Sequence, residues 1–494
     1  GPAAATADGD PHEVRFAREE VPMQPKKYDI GMIGLGVMGL NLLLNMADHG
    51  YSAVGYDRVA DRVRDLDRRR APGHAIRGTG SPQECMALLK SPRIVVILVP
   101  AGPPVDAALR ELLPLCRPAD ILIDCGNSHF TDTALRQKAL ARKGIHFLGV
   151  GISGGEKGAR HGPSIMPGGP REAYVWVKNI FEAIAADVRG EPCVAYLGPG
   201  AAGHFVKMVH NGIEYAMMQL IAEAYDLMKR GLGLDDDELA DAFEQWDGRT
   251  FHAFLTEIAA NIFRRVDAKT GKRLVDVILD EARQKGTGRW TSQAAMDLNI
   301  PVSVIDAAVA ARDLSAFKAE REAASRILAG PPATLREHRK RVIGQIERAL
   351  YAAILIAHAQ GMVLLEAASS AHGYGLNLSE VARIWRGGCI IRSALLEEIM
   401  IGLRSRPDVP NLLVEPRLYR EAASRRGDLQ SIVCTAASLG IPVPSMMAAL
   451  AYYDGYRSAW LPANLIQAQR DYFGAHTYER VDEKGVFHTR WEEP

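Results

Sequence analysis

The stretch running from Tyr28 to Asp57 constrains this chain more than any other. A short apolar run over residues 28–33 is followed at once by Gly34-Leu35-Gly36-Val37-Met38-Gly39. An amphipathic stretch then leads to His49, and a second apolar run over 53–57 ends in an acid, Asp57. A G-x-G-x-x-G string alone recurs by chance, and glycines at this spacing can serve helix–sheet packing only. Set between a strand and a helix, however, it has the context that dinucleotide binding requires. Gly34 permits the tight turn, Gly36 lets a pyrophosphate approach the backbone, and Gly39 lets the helix pack closely on the strand. The helix N-terminus, from Val37 and Met38 onward, presents N–H groups and the positive end of its dipole to the phosphates, with Leu35 inside the turn.

Which dinucleotide is bound stays open at this point. An acid at the end of the second strand favours the ribose hydroxyls of NAD, whereas a neighbouring Arg accommodates the 2′-phosphate of NADP. The chain supplies both, as Asp57 and Arg58.

Further apolar runs at 94–99, 121–124 and 146–150 alternate with helical patterns at 105–113 and 133–143. This alternation predicts βαβ units and a parallel sheet. After Gly198-Pro199-Gly200 the texture turns helical, rich in Ala, Leu, Met, Glu and Arg, and the last stretch becomes polar and aromatic. The expected architecture is an α/β Rossmann-type dinucleotide-binding domain over 28–202, a large all-α domain over 203–457 and an extended C-terminal tail over 458–494. A polar, mobile arm is expected over 1–27.

Composition narrows the function classes. In 494 residues, 59 Lys and Arg balance 59 Asp and Glu, so no global field attracts nucleic acid or anionic lipid. Any anion must be held by local cations and backbone dipoles. The six Cys form no C-x-x-C pair, and the fourteen His include no H-E-x-x-H, so no metal site is expected and a reduced, cytoplasmic setting is. The most apolar long stretch, 351–371, carries His358, Gln360 and Glu366, which predicts a buried helix rather than a membrane span.

Chemistry-bearing side chains concentrate after residue 202. In Gly203-His204-Phe205-Val206-Lys207-Met208-Val209-His210-Asn211-Gly212-Ile213-Glu214-Tyr215, a helix places Lys207, Asn211 and Glu214 at i, i+4 and i+7, with His210 alongside. A solvated polar face is the competing reading. Ser153-Gly154-Gly155, Gly286-Thr287-Gly288-Arg289-Trp290-Thr291 and Arg312 shift the balance, because a glycine-rich turn beside a cation and a hydroxyl suits phosphate.

Taken in order, residues 34–39, Asp124-Cys125-Gly126-Asn127-Ser128, Ile152-Ser153-Gly154-Gly155-Glu156, 203–215, Gln284-Lys285-Gly286-Thr287-Gly288 and 461–479 resemble the decarboxylating 6-phosphogluconate dehydrogenases. The resemblance implies NADP-dependent oxidation of the C3 hydroxyl of 6-phosphogluconate, then loss of carbon dioxide to give ribulose 5-phosphate, without a metal. It implies that Lys207 is the base, that Glu214 is the acid, and that Asn211 belongs to the same catalytic set. It further implies that Asn127, Ser153, Gly154, Gly155 and His210 hold the carboxylate and hydroxyls. Tyr215, Arg289, Thr291, Arg312, Arg470 and His476 are its phosphate and substrate contacts. On the dinucleotide side it points to residues 34–39, Asp57, Arg58, Val99, Pro100, Ala101 and Asn127. It also implies a homodimer in which Arg470 and His476 reach the partner's site.

Several positions depart from that pattern: Arg289 and Pro100 replace Lys, Lys157 and His129 replace Glu, and Asp57 and Val59 replace Asn and Thr. Two alternatives therefore accompany the main reading. One is a paralogue that acts on another phosphorylated sugar acid or prefers NAD; the other is a nucleotide-binding scaffold without catalysis.

Overall fold

The computed structural model describes residues 27–331, 335 and 338–492. The leading arm expected over 1–27 lies, apart from Lys27, outside the described residues.

Seven strands form one sheet: β1 (Ile30–Ile33), β2 (Ala53–Tyr56), β3 (Ile76–Gly78), β4 (Ile94–Ile97), β5 (Ile121–Asp124), β6 (His146–Ser153) and β7 (Ser164–Gly168). Their order is β3-β2-β1-β4-β5-β6-β7, with β7 antiparallel to β6 and the other pairs parallel. Every residue of β1, β4 and β5 is buried, as expected of strands covered on both faces. Between β1 and β4 the strand order reverses, which opens a crevice at the carboxyl ends of the strands. The sequence did not reveal β3, which has only three residues, or β7, which carries Pro167 and Gly168. An antiparallel strand at the sheet's edge tolerates both.

The helices that bear on the site are α1 (Val37–Asp48), α2 (Ala60–Arg69), α3 (Pro103–Leu112), α4 (Phe130–Ala141), α5 (Gly155–His161) and α6 (Ala202–Asp226). Beyond these come α7 (Thr287–Asp297), α8 (Ser303–Ser315), α9 (Arg339–His372), α10 (Leu378–Trp385), α11 (Pro444–Tyr456) and α12 (Ala463–Gly474). α6 sits directly on β6 and β7 because glycines line the seam. A Cβ on Gly203 would fall 2.3 Å from the carbonyl oxygens of Gly149 and Met166, and one on Gly151 would fall 2.3 Å from Lys207 Cβ. α9 is long and apolar enough to cross a membrane, yet 89% of its most apolar stretch is buried inside the protein. It is a core helix, as the polar residues within it predict.

Among the described residues, the expected tail continues beyond residue 475 without helix and contains one helix before that point. Residues 463–474 form α12, because Ala463, Leu465, Gln467, Ala468, Gln469 and Arg470 are good helix formers and Pro462 stands just before the first turn.

Candidate active site

The crevice begins at the glycine turn. Gly34 has φ +99°, and a Cβ there would lie 2.4 Å from Leu98 O; a Cβ on Gly39 would lie 2.0 Å from Gly34 O. Both positions therefore require glycine for closeness of chain to chain. Gly36 is different, since nothing lies within 4 Å of a Cβ built on it. That opening at the start of α1 is the room a pyrophosphate needs to approach the N–H groups of the first turn, with Leu35, Val37 and Met38 around it. A cavity of about 250 Å³ adjoins it, lined by Gly34, Tyr56, Asp57, Arg58, Arg62, Val99, Pro100 and Glu111 among others. Ala101 follows at its margin, and Asn127 is exposed just past the end of β5.

Asp57 is buried, not projecting freely. Its Oδ2 accepts the Leu35 N–H at 2.8 Å, its Oδ1 accepts the Val59 N–H at 2.9 Å, and Arg62 Nη1 lies 3.2 Å from Oδ2. The carboxylate thus braces the glycine turn to the end of β2. Arg58 forms an ion pair with Glu111 of α3. Arg62 and Glu111 were not anticipated. Arg62 was accessible to sequence reasoning as a cation one turn into the helix after Asp57, whereas Glu111 is 53 residues from Arg58 and only the fold joins them.

The second half of the site is the first turns of α6. The predicted face exists, and it is buried rather than solvated. Lys207 Nζ donates to Asn211 Oδ1 at 2.6 Å, and His210 Nδ1 lies 3.0 Å from the same oxygen. Because that oxygen only accepts, His210 donates from Nδ1, which leaves Nε2 to accept from Ser153 Oγ at 3.4 Å. Glu214 Oε2 lies 3.9 Å from His210 Nδ1. The ring of Trp385, at the end of α10, meets the His210 ring edge-on at 5.6 Å. Nothing in the sequence singled Trp385 out, since it lies far along the chain in an ordinary apolar pattern. Ser153, at the end of β6, is buried beside this cluster; Gly154 and Gly155 turn the chain with φ +127° and +62° into α5. A Cβ on Gly154 would meet Gly388 O at 2.6 Å, so that turn needs glycine as well.

Burial sets the protonation chemistry. Desolvation lowers the pKa of the Lys207 amine, against the pull of the Glu214 carboxylate, and drives His210 well down. Desolvation raises the carboxyl of Glu214, against Lys207 and Arg312. An amine pushed toward neutrality and a carboxyl pushed toward protonation, on one helix face, form a pair suited to moving a proton in opposite directions.

The Gly-Thr-Gly turn packs on the outer side of this helix. A Cβ on Gly212 would lie 2.6 Å from Thr291 Cγ2, and one on Gly288 would lie 2.3 Å from the Tyr215 ring. Arg312 stacks over that ring with its Cζ 3.5 Å from the centroid, while Arg289 is exposed. Thr291 lies at the same junction. Its side chain is fully buried, and its single hydroxyl proton is shared between the carbonyls of Met208 and Thr287, each at 2.9 Å, so it fastens α7 to α6. His129, which caps α4, meets Trp290 edge-on at 4.9 Å and joins the two sides of the crevice. Arg470 and His476 are both exposed in the tail; the structure does not bring them to Lys207 within one chain. Among the described residues no group of His, Cys, Asp and Glu could hold a metal ion.

Residues 29–198 match the NAD binding domain of 6-phosphogluconate dehydrogenase, and residues 203–491 match the 6-phosphogluconate dehydrogenase C-terminal domain. The chain is 49% identical over 468 residues to the NADP(+)-dependent, decarboxylating 6-phosphogluconate dehydrogenase of Bacillus subtilis, covering 94% of this chain and 99% of that one. It is 47% identical over 466 residues to the decarboxylating enzyme of Escherichia coli, with 94% and 99% covered. The solved 6-phosphogluconate dehydrogenase of Plasmodium falciparum, described apo, with its cofactor NADP+ and with its substrate 6-phosphogluconate, superposes with a TM-score of 0.91 at 40% identity. That match covers 94% of this chain and 100% of the other.

Proposed function

The chain belongs to the 6-phosphogluconate dehydrogenase family, and from that premise we propose that it oxidises the C3 hydroxyl of 6-phosphogluconate with NADP+ and releases carbon dioxide to leave ribulose 5-phosphate. The observation that carries this reading is the buried amine of Lys207, hydrogen-bonded to Asn211 and two turns from Glu214 on the same helix.

Residues 34–39 offer the pyrophosphate its backbone cradle; Asp57, Arg58, Val99, Pro100, Ala101 and Asn127 surround the remainder of the dinucleotide. The open space over Gly36 and the adjoining cavity fit such a group. When bound, the nicotinamide supplies the acceptor for the C3 hydride.

The chain's own residues handle the protons. Lys207, whose pKa burial lowers, accepts in its uncharged form the proton of the C3 hydroxyl as that carbon is oxidised. Now an ammonium, Lys207 donates a hydrogen bond to the new carbonyl oxygen and stabilises the charge that gathers there as the carbon–carbon bond to the carboxylate breaks. Glu214, whose pKa burial raises, delivers from its protonated form a proton to the carbon from which carbon dioxide has left. Asn211 fixes the direction of the Lys207 side chain. Ser153 and His210, joined through Nε2, and the Gly154–Gly155 turn stand where a carboxylate and hydroxyls are held. Tyr215, Arg289 and Arg312 stand on the phosphate side.

Arg470 and His476 complete the phosphate end from a second copy in a homodimer. The tail supports this: its exposed Leu461, Leu465, Ile466 and Phe473 form an apolar surface that needs a cover. The balanced charge and the core placement of α9 favour a cytoplasmic enzyme.

Turnover of 6-phosphogluconate, followed as reduced nicotinamide and as released carbon dioxide, tests the reading. Lys207→Met is expected to lower the oxidation rate by about 10²- to 10⁴-fold with nucleotide binding retained. Retained turnover in that variant refutes the assignment of the base.

A further inference from the structure

The charged side chains lining the cavity beside the glycine turn are two acids and two bases: Asp57, Glu111, Arg58 and Arg62. They are already paired with one another. Arg62 Nη1 reaches the Asp57 carboxylate at 3.2 Å, and Arg58 reaches Glu111 across from α3. Pro100, on the same wall, adds no cation.

This pairing separates the two nicotinamide dinucleotides. A ribose bearing a plain 2′-hydroxyl enters without disturbing either pair. A 2′-phosphate brings about −1.5 to −2 charges and needs an unengaged guanidinium. Asp57 holds two backbone N–H groups in place, so Arg62 stays committed to a carboxylate that cannot swing away. Arg58 is the more exposed of the two and the one free to turn, with 63% of its side chain accessible against 52% for Arg62. Turning toward a phosphate takes Arg58 from Glu111 and leaves that carboxylate facing a new anion.

We propose that Glu111 is a cofactor-discriminating residue, which holds Arg58 back from the 2′-phosphate and so lets this enzyme use NAD+ alongside NADP+. The inference rests on the reading of this crevice as the dinucleotide site and goes beyond it in assigning the choice between dinucleotides to a residue of α3. Arg58 and Glu111 are both partly exposed, so solvent screens their attraction and the effect is a graded preference, not an absolute one.

The test compares the wild type with Glu111→Gln and Glu111→Lys in two measurements. The first is the ratio of kcat/KM for NADP+ to that for NAD+ with 6-phosphogluconate. The second is calorimetric binding of 2′,5′-ADP and of 5′-ADP, which probes the pocket without turnover. Both ratios are expected to rise about three- to tenfold in Glu111→Gln, and further in Glu111→Lys, where the ion pair becomes a second cation. Equal changes with both nucleotides, or no change, would overturn the role of Glu111. A wild type that binds neither ADP would instead overturn the crevice as a dinucleotide site, and the proposal with it. Binding with the predicted ratio but no turnover would support Glu111 while refuting the catalytic reading.

Discussion

Lys207 and Glu214 are coupled through charge, and their coupling has a sign that can be checked. The Glu214 carboxylate raises the pKa of Lys207 while burial lowers it. Replacing Glu214 by Gln removes the raising influence alone, so the Lys207 amine should titrate at a lower pH than in the wild type. The proposed base must be unprotonated to work. The acid limb of the kcat/KM profile for oxidation is therefore expected to move toward lower pH in Glu214→Gln, while release of the final sugar phosphate slows because the enediol has lost its proton donor. A limb that moves toward higher pH contradicts the assignment. How much of this was legible before the fold was known differs from residue to residue. The spacing of Lys207, Asn211 and Glu214 follows from the pitch of a helix alone. Their burial, on which every pKa argument depends, does not, since it comes from Gly151 letting β6 approach Lys207 so closely. Thr291 had no local signal for its packing either, since its bond to the Met208 carbonyl joins helices 83 residues apart.

The joints between secondary structures were the harder part to read. The parallel strands and α1 follow from apolar runs and the glycine turn, but helix-to-helix fastening in the second half of the chain involves single polar residues with no local signature. Glu223 is one of these. Its carboxylate accepts the Ser445 and Met446 N–H groups at 2.8 and 2.9 Å, and so caps α11 from within α6. Burial nonetheless pushes its pKa up to about 7, from an ordinary 4.5. A carboxyl whose folded pKa is raised binds its proton more tightly in the native state. Its contribution to stability is therefore complete below about pH 4.5 and is lost as the pH rises through about 7. The shift corresponds to roughly 3 kcal/mol across that window. Thermal melts of the wild type and Glu223→Gln from pH 4.5 to 8 are expected to show the wild type losing Tm relative to the variant as pH rises. Parallel curves would mean that Glu223 has the same affinity for protons folded and unfolded.

For the chain as an assembly, the question is where the tail belongs. Its aromatic and charged composition was legible as a segment needing a surface, but its internal order was not, because that order turns on one carboxylate. The Asp471 side chain is inaccessible and accepts from Thr477 N, Thr489 N and Trp491 Nε1 at 2.9, 3.0 and 2.9 Å, with His488 Nδ1 at 2.9 Å. These contacts tie α12 to the bridge between Tyr478 and Phe487, so the segment holds its own shape. A preshaped segment presenting Leu465, Ile466 and Phe473 outward loses little conformational entropy on docking, and its exposed apolar residues provide the driving force. If the partner's site is its destination, Arg470 and Lys207 of one active site come from different copies. Two inactive homodimers, Lys207→Met and Arg470→Ala, should then complement each other when their subunits are exchanged. Each hybrid combines the intact tail of one chain with the intact amine of the other in one of its two sites. Random pairing makes about half of the dimers hybrids, so about a quarter of wild-type turnover is expected to return. A tail that serves its own subunit leaves both defects in place in every pairing, and the mixture stays as inactive as its parts.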